Sequence, residues 1–247
     1  ARAAALVELN SDTLVYGMNL DEKLYPASLT KIMTCMLALE HGNLDDIVTV
    51  SHEALQDLNA AGSSAGLLEG EQLSLRELLY CVMISSANEA CNVLAEAVSG
   101  SVDAFVDAMN AKAEGLGCEN THFVNPSGLH DPQHYTSAWD LYLITKEAMQ
   151  YDDFMRICDT ATATIPATNL SEARTLHTSN YLIGVWWSRG YLYSDAHGIK
   201  TGSTPEAGFN LITTAKKDGQ TYMLVVMGTP YEKDEYGYGM AFSVTAQ

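Results

Sequence analysis

Ser28 and Lys31 stand three residues apart, Ser86 and Asn88 two apart, and Lys200-Thr201-Gly202 runs on into Ser203. These residue types in this order suit nucleophilic acyl transfer by a serine. A serine hydroxyl is a poor nucleophile until an adjacent base takes its proton. Three-residue spacing at a helix start puts Ser28 and Lys31 on one face, and the helix N-terminus supplies N–H groups and positive potential for a developing oxyanion. Lys31 acts as base only when neutral, which burial and a neighbouring cation favour. A drop of about three units in its pKa costs roughly 4 kcal/mol, so the fold must hold such a lysine deliberately. Lys200 is the obvious second cation. Ser86 can relay a proton to a leaving nitrogen, and Asn88 can hold a substrate amide together with Lys31. Lys200 and Thr201 suit a carboxylate. Gly202 permits close backbone approach by a ligand. The N–H of Ser203 can pair with that of Ser28 as an oxyanion hole, where one donor is worth about 3–4 kcal/mol in the transition state.

Each short motif taken singly has a plainer reading. Lys31 can be an exposed helix lysine, which apolar Leu29, Ile32 and Met33 around it oppose. Ser86 and Asn88 are good helix N-caps. Lys200 can be a turn lysine in a loop ahead of a strand.

The elements that must position these residues follow from turn signals and apolar pattern. Ala4–Leu9 and Thr13–Tyr16 predict a hairpin around Asn10-Ser11-Asp12. Pro26-Ala27-Ser28 opens a helix through about Leu39, stopped by Gly42-Asn43. Residues 47–51 predict a short strand, and 62–66 a loop. Ser74 and Glu77 form a capping box for a helix over 75–84. Further helices are predicted over 88–98, 101–116 and 136–150, the last capped by Thr136 or Ser137. Tyr181–Ile183, Tyr191–Tyr193, Phe209–Ala215 and Thr221–Met227 predict strands, the last two joined by a hairpin turn at Lys217–Gln220. A sheet drawn from both ends of the chain, with a helical block inserted at roughly 40–150, is an α+β arrangement. Residues 1–247 read as a single catalytic domain, with no C-terminal β domain in this chain.

Composition narrows the partners. Asp and Glu number 31 against 13 Lys and Arg, giving a net charge of −18. Without a basic excess to neutralise phosphates, nucleic acid is not expected as a partner, and an anionic membrane is a poor fit. No apolar run reaches transmembrane length. The opening Ala1-Arg2-Ala3 reads as a start left after processing. Five cysteines cannot all pair within the chain, and Cys35, Cys81 and Cys91 fall in apolar helical stretches where a thiol packs as a small hydrophobe. The absence of H-E-x-x-H, or of a comparable His and Cys cluster, leaves no metal or other cofactor to expect. His52, His122, His130 and His134 fit no Ser-His-Asp arrangement and read as surface or structural residues. Trp186-Trp187 reads as a loop anchor or a lip beside the substrate, and the methionines as core filler.

Longer stretches carry a resemblance: Tyr25-Pro-Ala-Ser-Leu-Thr-Lys-Ile-Met-Thr34, Ser85-Ser-Ala-Asn-Glu-Ala90, Phe123-Val-Asn-Pro-Ser-Gly-Leu129, His134-Tyr-Thr-Ser137 and Gly198-Ile-Lys-Thr-Gly-Ser-Thr204. The chain resembles the serine-type D-alanyl-D-alanine carboxypeptidases, the low-molecular-mass penicillin-binding proteins, over nearly its whole length. Their motif set is S-x-x-K, a serine-to-asparagine triplet and K-T-G. The resemblance implies the DD-peptidase and β-lactamase type of fold. It implies that Ser28 attacks the bond between two terminal D-alanines of a peptidoglycan stem peptide and forms an acyl-enzyme that water hydrolyses. In it Lys31 activates Ser28, Ser86 passes the proton, and Lys200 with Thr201 grips the terminal carboxylate. β-Lactam antibiotics are then covalent inhibitors, and the location is extracytoplasmic, with a signal peptide already removed. Membrane contact is expected only through segments missing from this chain.

The chain departs from the family pattern in three places. The middle triplet is Ser-Ala-Asn where relatives commonly have Ser-Gly-Asn. Lys233 stands in the region after the last core strand where relatives often carry an arginine. Many relatives continue into a β-rich domain and an amphipathic helix. The alternatives are an endopeptidase acting on wall crosslinks, a β-lactamase, and a non-catalytic wall-binding module. Class A β-lactamases place a deacylating glutamate after the second motif, and Cys118–Leu129 offers only Glu119. A pure binder has no need of both Ser28 and Lys31. The Asn-Pro-x-Gly-Leu segment reads as a turn bracing the site.

Overall fold

The structure is a computed structural model that describes residues 1–56, 62–184 and 191–230. Strands β1 (Ala3–Glu8) and β2 (Thr13–Met18) form the expected first hairpin. A 3₁₀ turn at Ala27–Thr30 leads into α1 (Lys31–His41). Next come β3 (Ile47–Thr49), β4 (Gln72–Ser74), α2 (Leu75–Met83), α3 (Asn88–Ser99) and α4 (Val102–Gly115). The segment then runs through α5 (Ala138–Ala148), α6 (Asp152–Cys158), β5 (Thr162–Ile165) and β6 (Arg174–His177). Strands β7 (Ala196–Thr204), β8 (Gly208–Lys217) and β9 (Gln220–Thr229) complete the main sheet.

That sheet is antiparallel with order β2-β1-β9-β8-β7. The first strand lies between its hairpin partner and the last described one, in register Ala5↔Val225 and Ala3↔Met227. The sheet is therefore built from both ends of the chain with helices between, the α+β class expected. Its inner face, carrying Ala3, Ala5, Val7, Met223, Val225 and Met227, joins one core with the helices. Helix α1 runs through that core. Every residue from Lys31 to Ala38 is buried, the pattern of a helix enclosed on all sides.

Local signals placed several elements correctly. Ser74 accepts the Glu77 N–H while the Glu77 carboxylate accepts the Ser74 N–H, the predicted capping box. Ser137, rather than Thr136, caps α5 by accepting the Asp140 N–H.

Other expectations are corrected. Ser28 does not open an α-helix. It sits in the 3₁₀ turn, and α1 begins at Lys31. Lys200-Thr201-Gly202-Ser203 is not a loop ahead of a strand but the body of β7, the edge strand next to β8. Its glycines and polar side chains weaken any intrinsic strand signal, and cross-strand pairing decides. Tyr181–Ile183 is a turn rather than a strand. Asn180 accepts the Leu182 N–H through its side chain and the Ile183 and Gly184 N–H groups through its carbonyl. Tyr191–Tyr193 likewise forms no strand. Tyr181, Ile183 and Tyr191 pack around Leu182, Ala196 and Leu211, while Leu192 and Tyr193 are exposed. Helix α6 and the β5–β6 hairpin were not anticipated. Trp186-Trp187 and Lys233 lie outside the described residues.

One ion pair ties the β5–β6 hairpin to the loop before α2. Glu71, with no exposed surface, pairs with Arg174 of β6 and also accepts from Thr168 Oγ1 (2.8 Å) and the Leu68 N–H (3.0 Å). Arg174 donates in addition to the Ala65 carbonyl at 2.9 Å. Removing one partner of a buried pair strands the other charge without water. Arg174→Ala is expected to lower stability by about 3 kcal/mol, read from urea unfolding. A loss under about 1 kcal/mol would show that the pair is hydrated like a surface bridge.

Candidate active site

Lys31, the first residue of α1, points inward and has no exposed surface. Its Nζ donates to Ser28 Oγ at 3.0 Å, to Asn88 Oδ1 at 2.8 Å and to the Ser127 carbonyl at 2.6 Å. Three donors thus meet three acceptors, which is how a buried ammonium is satisfied. Burial lowers the Lys31 pKa, partly opposed by Cys91 and Glu89 nearby. Lys200, on β7, is equally enclosed, and its Nζ donates to Ser86 Oγ at 3.0 Å and to the Thr201 carbonyl at 3.1 Å. Burial first, and the positive charge of Lys31 second, push the Lys200 pKa down to about 7. Two enclosed ammoniums within electrostatic reach oppose each other's charge, so their protons titrate as a pair.

Ser86 is held in the turn between α2 and α3 with φ of 60°, in the left-handed region that a serine rarely adopts. Asn88, the first residue of α3, donates its N–H to the Ser63 carbonyl at 2.9 Å. Ser28, Lys31 and Asn88 therefore form one hydrogen-bonded group, and Ser86, Lys200 and Thr201 a second beside it. The Thr201 hydroxyl shares a short hydrogen bond with Ser179 Oγ. Ser203 follows on the same strand, solvent-exposed. Gly202 has a packing role besides the one expected of it. A Cβ there would lie 2.8 Å from the Pro26 carbonyl oxygen and 2.9 Å from the Ser28 nitrogen. Gly202 lets β7 pack directly against the turn carrying Ser28.

The Ser127 carbonyl is a part of the site that sequence reasoning missed. The Asn125–Leu129 turn was expected only to brace. Asn125 Oδ1 accepts the Ser127 and Gly128 N–H groups, and its Nδ2 donates to the Leu129 carbonyl at 2.9 Å. Gly128 has φ of 83°, and a Cβ there would fall 1.9 Å from the Ala27 oxygen, so only glycine fits. The Pro/Gly composition signals the turn, but no side-chain pattern reveals which carbonyl meets a lysine.

His134 proves structural, as expected. Its Nδ1 accepts the Val124 N–H at 3.1 Å, which leaves Nε2–H to donate to Thr30 Oγ1 at 2.8 Å, next to Lys31. Cys91 is buried beside the lysines, its thiol pushed up to about 11 by burial. The arrangement brings a partly exposed serine hydroxyl together with an enclosed amine whose pKa is lowered and a second enclosed cation. That suits attack on a carbonyl whose leaving side bears a carboxylate.

Residues 1–231 match the family model described as D-alanyl-D-alanine carboxypeptidase, and the chain belongs to that family. It is 36% identical over 242 residues to D-alanyl-D-alanine carboxypeptidase DacF of Bacillus subtilis, covering 95% of this chain and 59% of that protein. It is 34% identical to the DacC carboxypeptidase of Escherichia coli, covering 94% of this chain and 58% of that protein. The chain thus spans less than two thirds of the length of these relatives. The crystal structure of a Streptomyces DD-transpeptidase superposes with a TM-score of 0.85 at 29% identity, covering 93% of this chain and 90% of that one. DacD from Francisella tularensis superposes with a TM-score of 0.79 at 26% identity, covering 93% and 66%.

The enclosed His134 has a consequence for acid stability. Burial lowers its pKa from 6.5 to about 4. The unfolded chain takes up that proton below pH 6.5 while the folded one refuses it until about pH 4. The contribution is present above the unfolded value and is lost as pH falls through that window. The parent is expected to lose about 3 kcal/mol more between pH 7 and the lower edge of that window than His134→Gln. Equal losses in urea unfolding would show that His134 protonates freely in the folded state.

Proposed function

We propose that this chain is the catalytic domain of a serine-type D-Ala-D-Ala carboxypeptidase that removes the terminal D-alanine from peptidoglycan stem peptides and is acylated by β-lactams. The observation that carries the reading is the 3.0 Å contact between Ser28 Oγ and an enclosed Lys31 Nζ whose pKa is lowered. Residues 1–247 act as a single domain with the helical block of roughly 40–150 inserted into it.

In the reaction, neutral Lys31 takes the Ser28 proton as Oγ attacks the scissile carbonyl. The carbonyl electrons move onto oxygen, held by the N–H groups of Ser28 and Ser203. Lys200 and Thr201 hold the terminal carboxylate, and Gly202 keeps their strand close to the nucleophile. Asn88 orients Lys31 and the substrate amide. As the tetrahedral adduct collapses, the C–N bond breaks and its nitrogen takes a proton through Ser86. Free D-alanine leaves, and the acyl group stays on Ser28 until water hydrolyses the ester. A β-lactam ring amide follows the same first step but keeps its leaving nitrogen tethered. Stem peptides lie outside the cytoplasmic membrane, so the protein works in the extracytoplasmic space.

A β-lactamase reading is less well supported. Glu119, the one glutamate between Cys118 and Leu129, is solvent-exposed and far from the role of activating a deacylating water.

Benzylpenicillin should give a stable adduct of one equivalent by intact mass, absent in Ser28→Ala. D-Alanine should be released from a diacyl-D-Ala-D-Ala peptide by the parent alone. The acylation rate should rise with pH along a limb centred below the ordinary lysine value of 10.5, because Lys31 must lose its proton to act. An intact drug with no adduct would overturn the reading, and rapid destruction of the drug would favour a β-lactamase.

A further inference from the structure

Glu89 follows Asn88 in the first turn of α3 and is buried, with 3% of its surface exposed. A carboxylate in that position needs donors, and it finds them in one short loop. Its Oε1 accepts from Ser64 Oγ at 2.7 Å, from the Ala65 N–H at 2.6 Å and from the Gly66 N–H at 3.1 Å. The same loop returns a bond to the catalytic segment, because the Ser63 carbonyl accepts the Asn88 N–H at 2.9 Å. The loop's outer side is held by Arg174 on the Ala65 carbonyl and by Glu71 on the Leu68 N–H. Loop 62–66 and the start of α3 are thus clamped to each other from both directions. Asn88 Oδ1 is one of the three acceptors of Lys31 Nζ.

We propose that Glu89 is a positioning residue for acylation: by gathering the Ser64, Ala65 and Gly66 donors it locks loop 62–66 onto the start of α3 and so fixes Asn88 against Lys31. The proposal rests on the carboxypeptidase reading and deepens it. The geometry also explains why an acidic side chain occupies this spot. Three donors converge on one oxygen, and a carboxylate oxygen accepts without bringing a donor of its own. A small displacement of a group that orients a base lowers the rate steeply.

The charge has a second effect, on the proton of Lys31. The titratable groups facing Lys31 are Glu89 and Cys91 from α3, Lys200 from β7 and His134 from the 122–136 segment. Glu89 is a negative charge among them and favours the ammonium. Removing that charge while keeping the acceptor makes Lys31 easier to deprotonate, which moves the acid limb of the acylation profile to lower pH.

The test is the benzylpenicillin acylation rate against pH for the parent, Glu89→Ala, Glu89→Gln and Glu89→Asp, with thermal unfolding and amide exchange of Ala65 and Gly66 alongside. Glu89→Ala is expected to slow acylation on the order of tenfold and to speed exchange at both amides while the fold stays cooperative. Glu89→Gln keeps an acceptor oxygen, so it is expected to slow acylation less than Glu89→Ala and to shift the acid limb downward. Glu89→Asp is expected to fall between them with the limb unmoved. A folded Glu89→Ala with the parent's rate and exchange would overturn the proposal. So would Gln and Ala variants equally slow with an unmoved limb, which a purely structural carboxylate would give. A parent protein that is not acylated at Ser28 would sink the carboxypeptidase reading, and the Glu89 proposal with it. A parent acylated normally beside unaffected variants would sink the Glu89 proposal alone.

Discussion

Two lysines share one dry space, and much of the molecule is arranged around that fact. Removing an ammonium from water is costly unless every donor finds an acceptor. Lys31 finds Ser28, Asn88 and Ser127, and the last two lie 57 and 96 residues away in the chain. Lys200 finds Ser86 across 114 residues. No single element could supply those acceptors, so the 3₁₀ turn, the α2–α3 turn, the Asn125–Leu129 turn and β7 must converge. The site still disfavours the charges, Lys31 through burial and Lys200 through burial and then the charge of Lys31. That residual disfavour is what makes an amine usable as a base.

The convergence requires backbone in unusual conformations. Ala27 and Ser86 both have positive φ, 49° and 60°, although neither is glycine. Such residues cost of order 1–3 kcal/mol each and persist only where their surroundings fix them. Ala27 is fixed by Gly128 packed on its carbonyl and by β7 at Gly202 on the next turn. Ser86 is fixed between α2 and the loop-clamped start of α3. Both lie in the segments that carry Ser28 and Ser86, and the core helix α1 follows directly on the first of these.

The acidic surface and the enclosed cationic centre are separate electrostatic systems. A net charge of −18 is spread over side chains that are mostly exposed or paired at the surface. Among the described residues Glu71, Glu89 and Asp140 are the buried exceptions, the first two on the loop side of the site. Those two organise backbone N–H groups and Arg174 there, so buried charge of each sign has been given a local partner of hydrogen-bonding type.

Much of this was legible in the residues themselves. The spacing of Ser28 and Lys31, the Ser86–Asn88 pair and Lys200-Thr201-Gly202 picked out residues that the fold brings into two adjoining hydrogen-bonded groups. The hairpins, the capping box at Ser74 and the α+β class followed from local periodicity and turn chemistry. What the chain order could not disclose was set by distant contacts. The strand nature of residues 196–204 came from pairing with β8 against weak local propensity. The turn at Tyr181–Ile183 came from Asn180 gathering the following N–H groups where apolar pattern suggested a strand. The Ser127 carbonyl became a lysine acceptor, and Gly202 a contact for the Ser28 backbone, only when separate segments packed together. Local sequence determined which groups can react, because reactivity belongs to side-chain type. Tertiary structure decided their protonation and their alignment, because both depend on which atoms from elsewhere in the chain replace water around them.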